Sequence, residues 1–505
     1  MSVNAAVLMI FLPLVMAPAI YLFGRAVEKN RPEGLTTAVN SAALLVMAVL
    51  WIPYVLTVRQ FAATGPIVLV YGDVALIVDG LSLLLAAAAL ALGTLVILYS
   101  KAHMSGKLGD EKYYSSVVAM TGMIIGLGCA NDLFNLWVWF EGMAVSSYLL
   151  VVFYRDRPTA LEAGVKYLVQ SAVGSVTVLI GIALVFAHTG EIGFGALAAA
   201  NMTTPVLLGA GALFTIGFGV KIALVPMHTW LPDAHAQAPS GISALLSGVV
   251  IEAGLIALLR VLGALSGDVM PSWGALLMAF AAVNMLLGNL MALRQTQVKR
   301  LLAYSSLSHM GYMLLGIGVA VYIGQANGAQ GGLFHLLTHG MMKGLAFLAA
   351  GAFIYATSGA SHDTSQDHGL TLGDLNGAAR RYPFEALALS IAVLGLAGLP
   401  PLAGFMSKWQ IFVAGFEAHN TVIGLLVVFA ALNSVLSLAY YAPIVNAVYR
   451  RQPSTAVMEG VRLPISMRIP MAVLTLAVIA VGVWPRLVYW LIVPAGGALS
   501  AMFGS

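Results

Sequence analysis

Fourteen predominantly apolar runs, each long enough for a helix of ~20 residues to cross a bilayer, alternate with polar connections along the 505-residue chain. They fall at about 3–23, 35–57, 76–100, 113–130, 132–154, 162–188, 205–229, 239–264, 272–293, 303–324, 333–357, 383–417, 419–449 and 466–493. The pattern predicts an all-α polytopic membrane protein. No basic stretch precedes residues 3–23, and Pro18 spoils the small-residue site that could pass for signal cleavage, so that run reads as a retained first helix. The stretch 58–75 is too short and polar to cross, and VLVYGDVALIVDG suggests an extended segment on the surface. The longest hydrophilic connection, 358–382, holds His362, Asp363, Asp367 and His368 and reads as a solvated loop, a candidate docking surface.

Two of the runs are interrupted. Span seven carries Pro226, Pro232 and Pro239 within KIALVPMHTWLPDAHAQAPSG (221–241), and span twelve carries Pro400 and Pro401 within GLAGLPPLAGFMSKWQIF (395–412). Proline removes a backbone hydrogen bond, and free carbonyls at membrane depth survive only beside protein or a wet cavity. The interruptions lie five helices apart, and an odd offset inverts direction across the membrane. Spans 4–8 and 9–13 therefore read as two inverted five-helix repeats, the arrangement that points to a transport site. Independent proline kinks are the plainer alternative. The expected division is 1–112 (helices 1–3), 113–264 (first repeat), 265–450 (second repeat) and 451–505 (helix 14 and tail).

Composition supports the membrane reading: 60% of residues are hydrophobic, 9% are charged, and the mean hydropathy is +0.93, whereas soluble domains carry about 25% charged residues. The distribution of charge says more than its sum. Of the 24 Lys and Arg residues, 17 lie on connections after odd-numbered spans. Arg59, Arg260 and Arg486 alone fall on the opposite side. This positive-inside asymmetry places the odd connections in the cytoplasm and both termini outside. The lone Cys129 excludes a disulfide framework and a cysteine metal site. His228 and His235 do not match zinc spacing, no phosphate-binding lysine loop is present, and glycine-rich GMIIGLG (122–128) reads as a helix-packing surface. No metal, cofactor or nucleic-acid partner is expected.

The remaining four basic residues, Lys166, Lys221, Lys343 and Lys408, fall inside apolar spans. Each buried lysine costs roughly 2.5–3.5 kcal/mol on insertion scales. Glu141 and Glu252 are also mid-span, and His335, His339 and Lys343 recur at four-residue spacing on one helical face. Burial moves both amines and carboxyls toward the range where protons exchange, so a lysine beside a moving carboxylate can switch its charge. That is the physical basis of a proton relay; a static ion pair bracing the bundle is the bland reading of any one of these residues. Lys166, near the start of its span, can simply snorkel to the interface.

The chain resembles the antiporter-like membrane subunits shared by respiratory complex I, Mrp-type cation/proton antiporters and membrane-bound hydrogenases. The resemblance covers roughly 75–450 and rests on FNLWVWFEGMAVSSYLL, KIALVPMHTWLPDAHAQAPSGISALLSG, QVKRLLAYSSLSHMGY, HGMMKGLAFLAAG and LPPLAGFMSKW. It implies fourteen helices with inverted repeats and discontinuous helices 7 and 12. It also implies that Glu141 is the helix-5 glutamate paired with Lys221, that His335, His339 and Lys343 form the central relay, and that Lys408 is the terminal basic residue. Many such subunits carry lysine or histidine in span eight, where this chain has Glu252. The serines of GMAVSSYLL look more like the Mrp and hydrogenase branches.

The expected function is proton translocation, with sodium coupling left open, along Glu141, Lys221, His228, Glu252, His335, His339, Lys343 and Lys408. The chain would act within a larger membrane complex, NADH dehydrogenase-like or hydrogenase-like, whose redox partners supply the energy. A sodium/proton antiporter subunit without redox chemistry and a non-conducting scaffold are the alternatives. The expected location is the inner (plasma) membrane.

Overall fold

The computed structural model describes residues 4–30, 34–72, 74–105, 109–199, 204–265, 267, 270–357, 369–450 and 452–504. The histidine- and aspartate-bearing stretch His362 to His368 lies outside the described residues. In chain order the helices are α1 (Ala5–Asn30), α2 (Leu35–Thr64), then, after a hairpin, α3 (Gly80–His103), α4 (Asp110–Cys129), α5 (Leu133–Val151), α6 (Pro158–Thr189), α7 (Phe194–Ala199), α8 (Pro205–Lys221), α9 (Trp230–Gln237), α10 (Ser240–Leu245) and α11 (Ile251–Ala264). There follow α12 (Met270–Leu293), α13 (Val298–Ile323), α14 (Ala326–Thr357), α15 (Pro383–Ala397), α16 (Ala403–Glu417), α17 (Thr421–Val448), α18 (Thr455–Glu459), α19 (Ile465–Val483) and α20 (Arg486–Met502). Ten spans among the described residues are long and apolar enough to cross a membrane, α10 and α11 counting as one rod. The polytopic all-α architecture is as the sequence predicts.

Local chemistry explains where helices begin. Asp79 caps α3, accepting from the Ser82 amide at 2.9 Å while Ser82 Oγ accepts from the Asp79 amide at 2.7 Å. Asp132 caps α5 by accepting from the Asn135 amide at 2.6 Å. Pro158, Pro205 and Pro383 open α6, α8 and α15, at the position where the missing N–H costs nothing.

Both interruptions are real. Between α8 and α9 the chain runs non-helically from Ile222 to Thr229, and between α15 and α16 from Gly398 to Leu402. The 58–75 region is extended in part, as expected, but it does not run on as one segment. Helix α2 continues to Thr64, and the rest is an antiparallel hairpin, β1 (Ile67–Tyr71) with β2 (Val74–Val78), turned at Gly72 (φ +62°). The last expected span also differs: Trp484 and Pro485 split it into α19 and α20. Helix α20 is amphipathic, burying Val488, Leu491, Ile492, Ala495 and Leu499 at helical spacing while Leu487, Trp490 and Val493 face outward.

The hairpin marks one end of the bundle. There Leu76 bridges Ala130, Asp132 bridges Gly193, and α20 packs on Gly80, Gly263 and Gln330. A Cβ on Gly80 would lie 2.2 Å from the Pro494 carbonyl carbon, so glycine is what lets α20 lie across the start of α3. The opposite end is tied by Thr159 to Gln237, by Gln297 bridging Thr371, and by Gly377 bonding Ala447. Between the ends, the rod α10–α11, α13 and α14 form the buried centre, while α1, α2, α6, α12 and α17 carry exposed apolar side chains on the rim. The rod contains one π-helical turn, Leu246–Val250, which ends two residues before Glu252. Such turns mark functional positions in many helices.

Candidate functional site

The first break begins just after Lys221, in the last turn of α8, where the helix dipole favours a cation. The residue is 1% exposed, and its ammonium donates to Tyr167 OH at 2.6 Å and Ser147 Oγ at 3.2 Å. Those two hydroxyls also bond each other at 2.7 Å. Tyr167 stacks on Trp230 with ring centroids 4.0 Å apart, and the Trp230 indole donates to the Val220 carbonyl at 2.7 Å, so α9 is fastened to the end of α8. Asn284 of α12 satisfies the opened backbone, its Oδ1 accepting from the Val225 amide at 2.9 Å and its Nδ2 donating to the Ala223 carbonyl at 3.3 Å. Ala223 sits at φ +55°, a left-handed conformation rare for a residue with a Cβ.

Glu141, expected as the partner of Lys221, is near but not bonded to it. Among the described residues no hydrogen bond or ion pair joins them, and Glu141 Oε1 is buried without a partner. The reason is direction: the lysine turns toward Ser147, six residues further along α5 and beside Tyr167.

The centre of the molecule holds a row of imidazoles that crosses between helices. Glu252 Oε1 lies 2.9 Å from His339 Nδ1, both fully buried. The ring of His309 on α13 lies 5.2 Å, centroid to centroid, from both His335, on which it stacks, and His339, to which it is tilted. Its Nδ1 is 3.0 Å from His335 Nε2, and His335 Nδ1 is 2.9 Å from Ser407 Oγ on α16. His335 and His339 are themselves 6.4 Å apart, so His309 is the shorter step between them. The expected common face of His335, His339 and Lys343 exists on α14, but the three side chains contact different neighbours. Lys343 donates to the Leu302 carbonyl at 2.5 Å and to Ser305 Oγ.

At the second break Lys408 reaches back to the end of α15, donating to the Leu396 carbonyl at 2.9 Å and to Ser434 Oγ at 2.9 Å. Ser434 Oγ in turn donates to the Ala397 carbonyl at 2.9 Å. The ammonium lies 4.5 Å from the Tyr312 ring centroid, an attractive cation–π distance.

Other residues fall differently. His228 is 7% exposed in the first break and packs toward Tyr304 at 6.4 Å between centroids, with no hydrogen bond to the row among the described residues. Lys166 is not buried in the bundle: its side chain is 47% exposed and pairs with Glu162 at 2.7 Å and Asp233 at 3.0 Å. Asp233 also meets Arg300 at 2.7 Å, and these groups line a surface pocket of about 280 Å³. Arg260, counted by the sequence among the span ends, is 2% exposed and pairs with Asp79 at 2.9 Å. His309 was not singled out from the sequence, although it lies in the quoted SSLSHMGY; serines at 305, 306 and 308 beside a histidine within an apolar span were the available signal.

Paired helix breaks, each with a buried lysine, flank a central row of ionisable groups in a bundle of membrane-length helices. Residues 130–437 match the family described as NADH:quinone oxidoreductase/Mrp antiporter, transmembrane. Subunit N of the F(420)H(2) dehydrogenase of Methanosarcina mazei is 34% identical over 417 residues, covering 81% of this chain and 82% of that one. Hydrogenase-4 component B of Escherichia coli is 33% identical over 359 residues, 69% of this chain and 52% of its own length. Among solved structures, a chain of the membrane-bound sulfane sulfur reductase, an archaeal respiratory membrane complex, superposes with TM-score 0.86 at 27% identity over 99% of both chains. A chain of the Mrp complex from Dietzia sp. shares the fold at the same TM-score, with 22% identity over 99% of this chain and 98% of that one. The chain belongs to the NADH:quinone oxidoreductase/Mrp antiporter membrane-subunit family.

Proposed function

We propose that this chain carries protons across the membrane as one subunit of a redox-driven complex, by way of the buried row from Lys221 to Lys408. The observation that carries the reading is the crossing at the centre. Glu252 of the rod bonds His339 of α14, and His309 and His335 continue to Ser407, the neighbour of Lys408. Each of these groups can take up and release a proton, and each step runs to a neighbour within or near hydrogen-bond reach. Lys221 and Glu141 form the end of the path in the first repeat, and Lys408 the end in the second. His228 and Lys343 are branch points. The two repeats are residues 113–264 and 265–450, flanked by 1–112 and 451–505. The membrane is the plasma membrane, with the basic connections inside and both termini outside.

Glu252 occupies the place between the two lysine-bearing halves. Its carboxylate lowers the cost of a positive charge on His339, so protonation there need not wait for a neighbour to lose one. Moving each proton against 100 mV requires about 2.3 kcal/mol, which partner subunits would supply. The relation to a dehydrogenase subunit and a hydrogenase component at 33–34% identity supports a redox driver.

The test is proton uptake by inverted native membrane vesicles holding the complete complex. In Glu252→Gln, electron-donor-driven uptake should fall by about a hundredfold, the scale of a lost proton-transfer group. Uptake at the unaltered rate would remove Glu252 from the path. Uptake driven by an imposed sodium gradient, with no response to any electron donor, would replace the redox reading with an antiporter.

A further inference from the structure

We infer that Lys343 has its own proton access, a buried column of hydroxyls entering from the bundle end opposite the hairpin between α3, α4, α10 and α14. This rests on the reading of Lys343 as a relay group.

The column begins where α3 and α4 meet. Ser100 Oγ and Tyr113 OH lie 2.8 Å apart, both fully buried. The first turn of α10 backs directly on this pair: a Cβ on Gly241 would stand 3.1 Å from each of the two oxygens. The next contact is made by the neighbours of these residues. Ser240 and Tyr99 converge on Gly351 of α14, where an added Cβ would lie 2.5 Å from Ser240 Oγ and 2.6 Å from Tyr99 OH. Tyr99 OH donates to the Leu348 carbonyl at 2.9 Å. Leu348 is five residues from Lys343, about 7.5 Å along a helix axis.

An unused imidazole occupies the remaining stretch. His235 of α9 is fully buried and stacks on Phe347 at 4.8 Å, one helical turn from Lys343, and neither ring nitrogen has a hydrogen-bond partner. Its backbone carbonyl accepts from Ser243 Oγ at 3.0 Å, which holds α9 against α10. Two orphaned nitrogens on one buried ring are costly as pure structure. At the mouth, Asp110 and Glu111 sit in the first turn of α4, each 1% exposed, one turn from Tyr113 and Tyr114. Glu111 Oε2 and Tyr114 OH have no bonded partner. Carboxylates, tyrosines and serines thus lead inward to an imidazole beside Lys343, and ordered water would complete the column between them.

The step is a simple exchange. His235, protonated through the column, gives its proton to the neutral Lys343 amine, which becomes an ammonium held by the Leu302 carbonyl and Ser305. The imidazole is then reprotonated from the mouth, and Lys343 later releases its proton toward His339.

The experiment uses the complete complex in inverted native vesicles, with donor-driven proton uptake and the melting temperature of the purified complex as paired readouts. Ser100→Ala/Tyr113→Phe and His235→Gln should each lower uptake about tenfold with melting unchanged, and Ser100→Thr, which keeps the hydroxyl, should retain the rate. Unaltered uptake in the first two variants, while Lys343→Ala abolishes it, overturns the column and leaves the relay standing. Unaltered uptake in Lys343→Ala itself overturns the proposed relay. A loss in Ser100→Thr equal to that in Ser100→Ala/Tyr113→Phe, or a loss matched by lowered melting, reduces the column to packing and overturns the inference.

Discussion

The two broken helices place a lysine at the same kind of point and hold it in opposite ways. In both, an ammonium meets the C-terminal end of the first half-helix, where unpaired carbonyls and the helix dipole favour a cation. Lys221 belongs to that half-helix and binds two hydroxyls, Ser147 and Tyr167, while Asn284 from α12 satisfies the opened backbone. Lys408 comes from the second half-helix, and it and Ser434 are themselves the donors to the carbonyls of Leu396 and Ala397. The first lysine is therefore free to lose its proton without opening the break. The second is a support as well as a charge carrier, because its departure strips a donor from a buried carbonyl.

This contrast orders the expected effects of substitution. Lys221→Ala should cut proton uptake by a hundredfold or more, the scale of a removed proton-transfer group, while the melting temperature of the complex stays put, since Ser147 and Tyr167 still bond each other. A large drop in melting would erase the distinction between the two sites. Lys408→Ala should lose uptake comparably but also destabilise the fold by about 1–3 kcal/mol, the cost of an orphaned buried acceptor. Thermal denaturation of the detergent-solubilised complex checks this, and melting like that of the parent would show that Ser434 suffices. Asn284→Ala should show the reverse profile, lowering stability by about 1–3 kcal/mol with a smaller loss of uptake. Tyr167→Phe sharpens the comparison most finely. It removes one charge-assisted hydrogen bond while Ser147 remains, so uptake should fall by no more than about tenfold, roughly 1.4 kcal/mol, and a total loss would make Tyr167 a proton carrier. Asp233→Asn, at the exposed cluster with Lys166 and Arg300, should alter both readouts least, since exposed pairs contribute about 0–1 kcal/mol.

Much of this molecule was legible beforehand. The two interruptions, the embedded Lys221, Lys343, Lys408 and Glu252, and the doubtful standing of Lys166 all followed from hydropathy and proline position, and each lies where those signals put it. The extended character of 67–78 was legible, but its folding back as a hairpin was not, and the split of the last span into α19 and α20 escaped a window tuned to about 20 apolar residues. His309 escaped because a single histidine has no periodic partner on its own helix; its neighbours, His335 and His339, are on α14. Arg260 escaped because a charge near a span end is usually solvated, and nothing local shows that Asp79, 181 positions earlier, neutralises it.

By itself the sequence determined that the chain crosses a membrane many times, that two crossings are broken, and that ionisable groups are buried beside the breaks. These follow from the cost of polar atoms in hydrocarbon, which each segment meets alone. Only the tertiary structure decided which groups touch: that Lys221 turns to hydroxyls and not to Glu141, that Glu252 finds His339, and that His309 joins two histidines of another helix. Hydrogen-bond geometry is settled over distances of about 3 Å, and such distances between helices are fixed by packing that no single segment encodes.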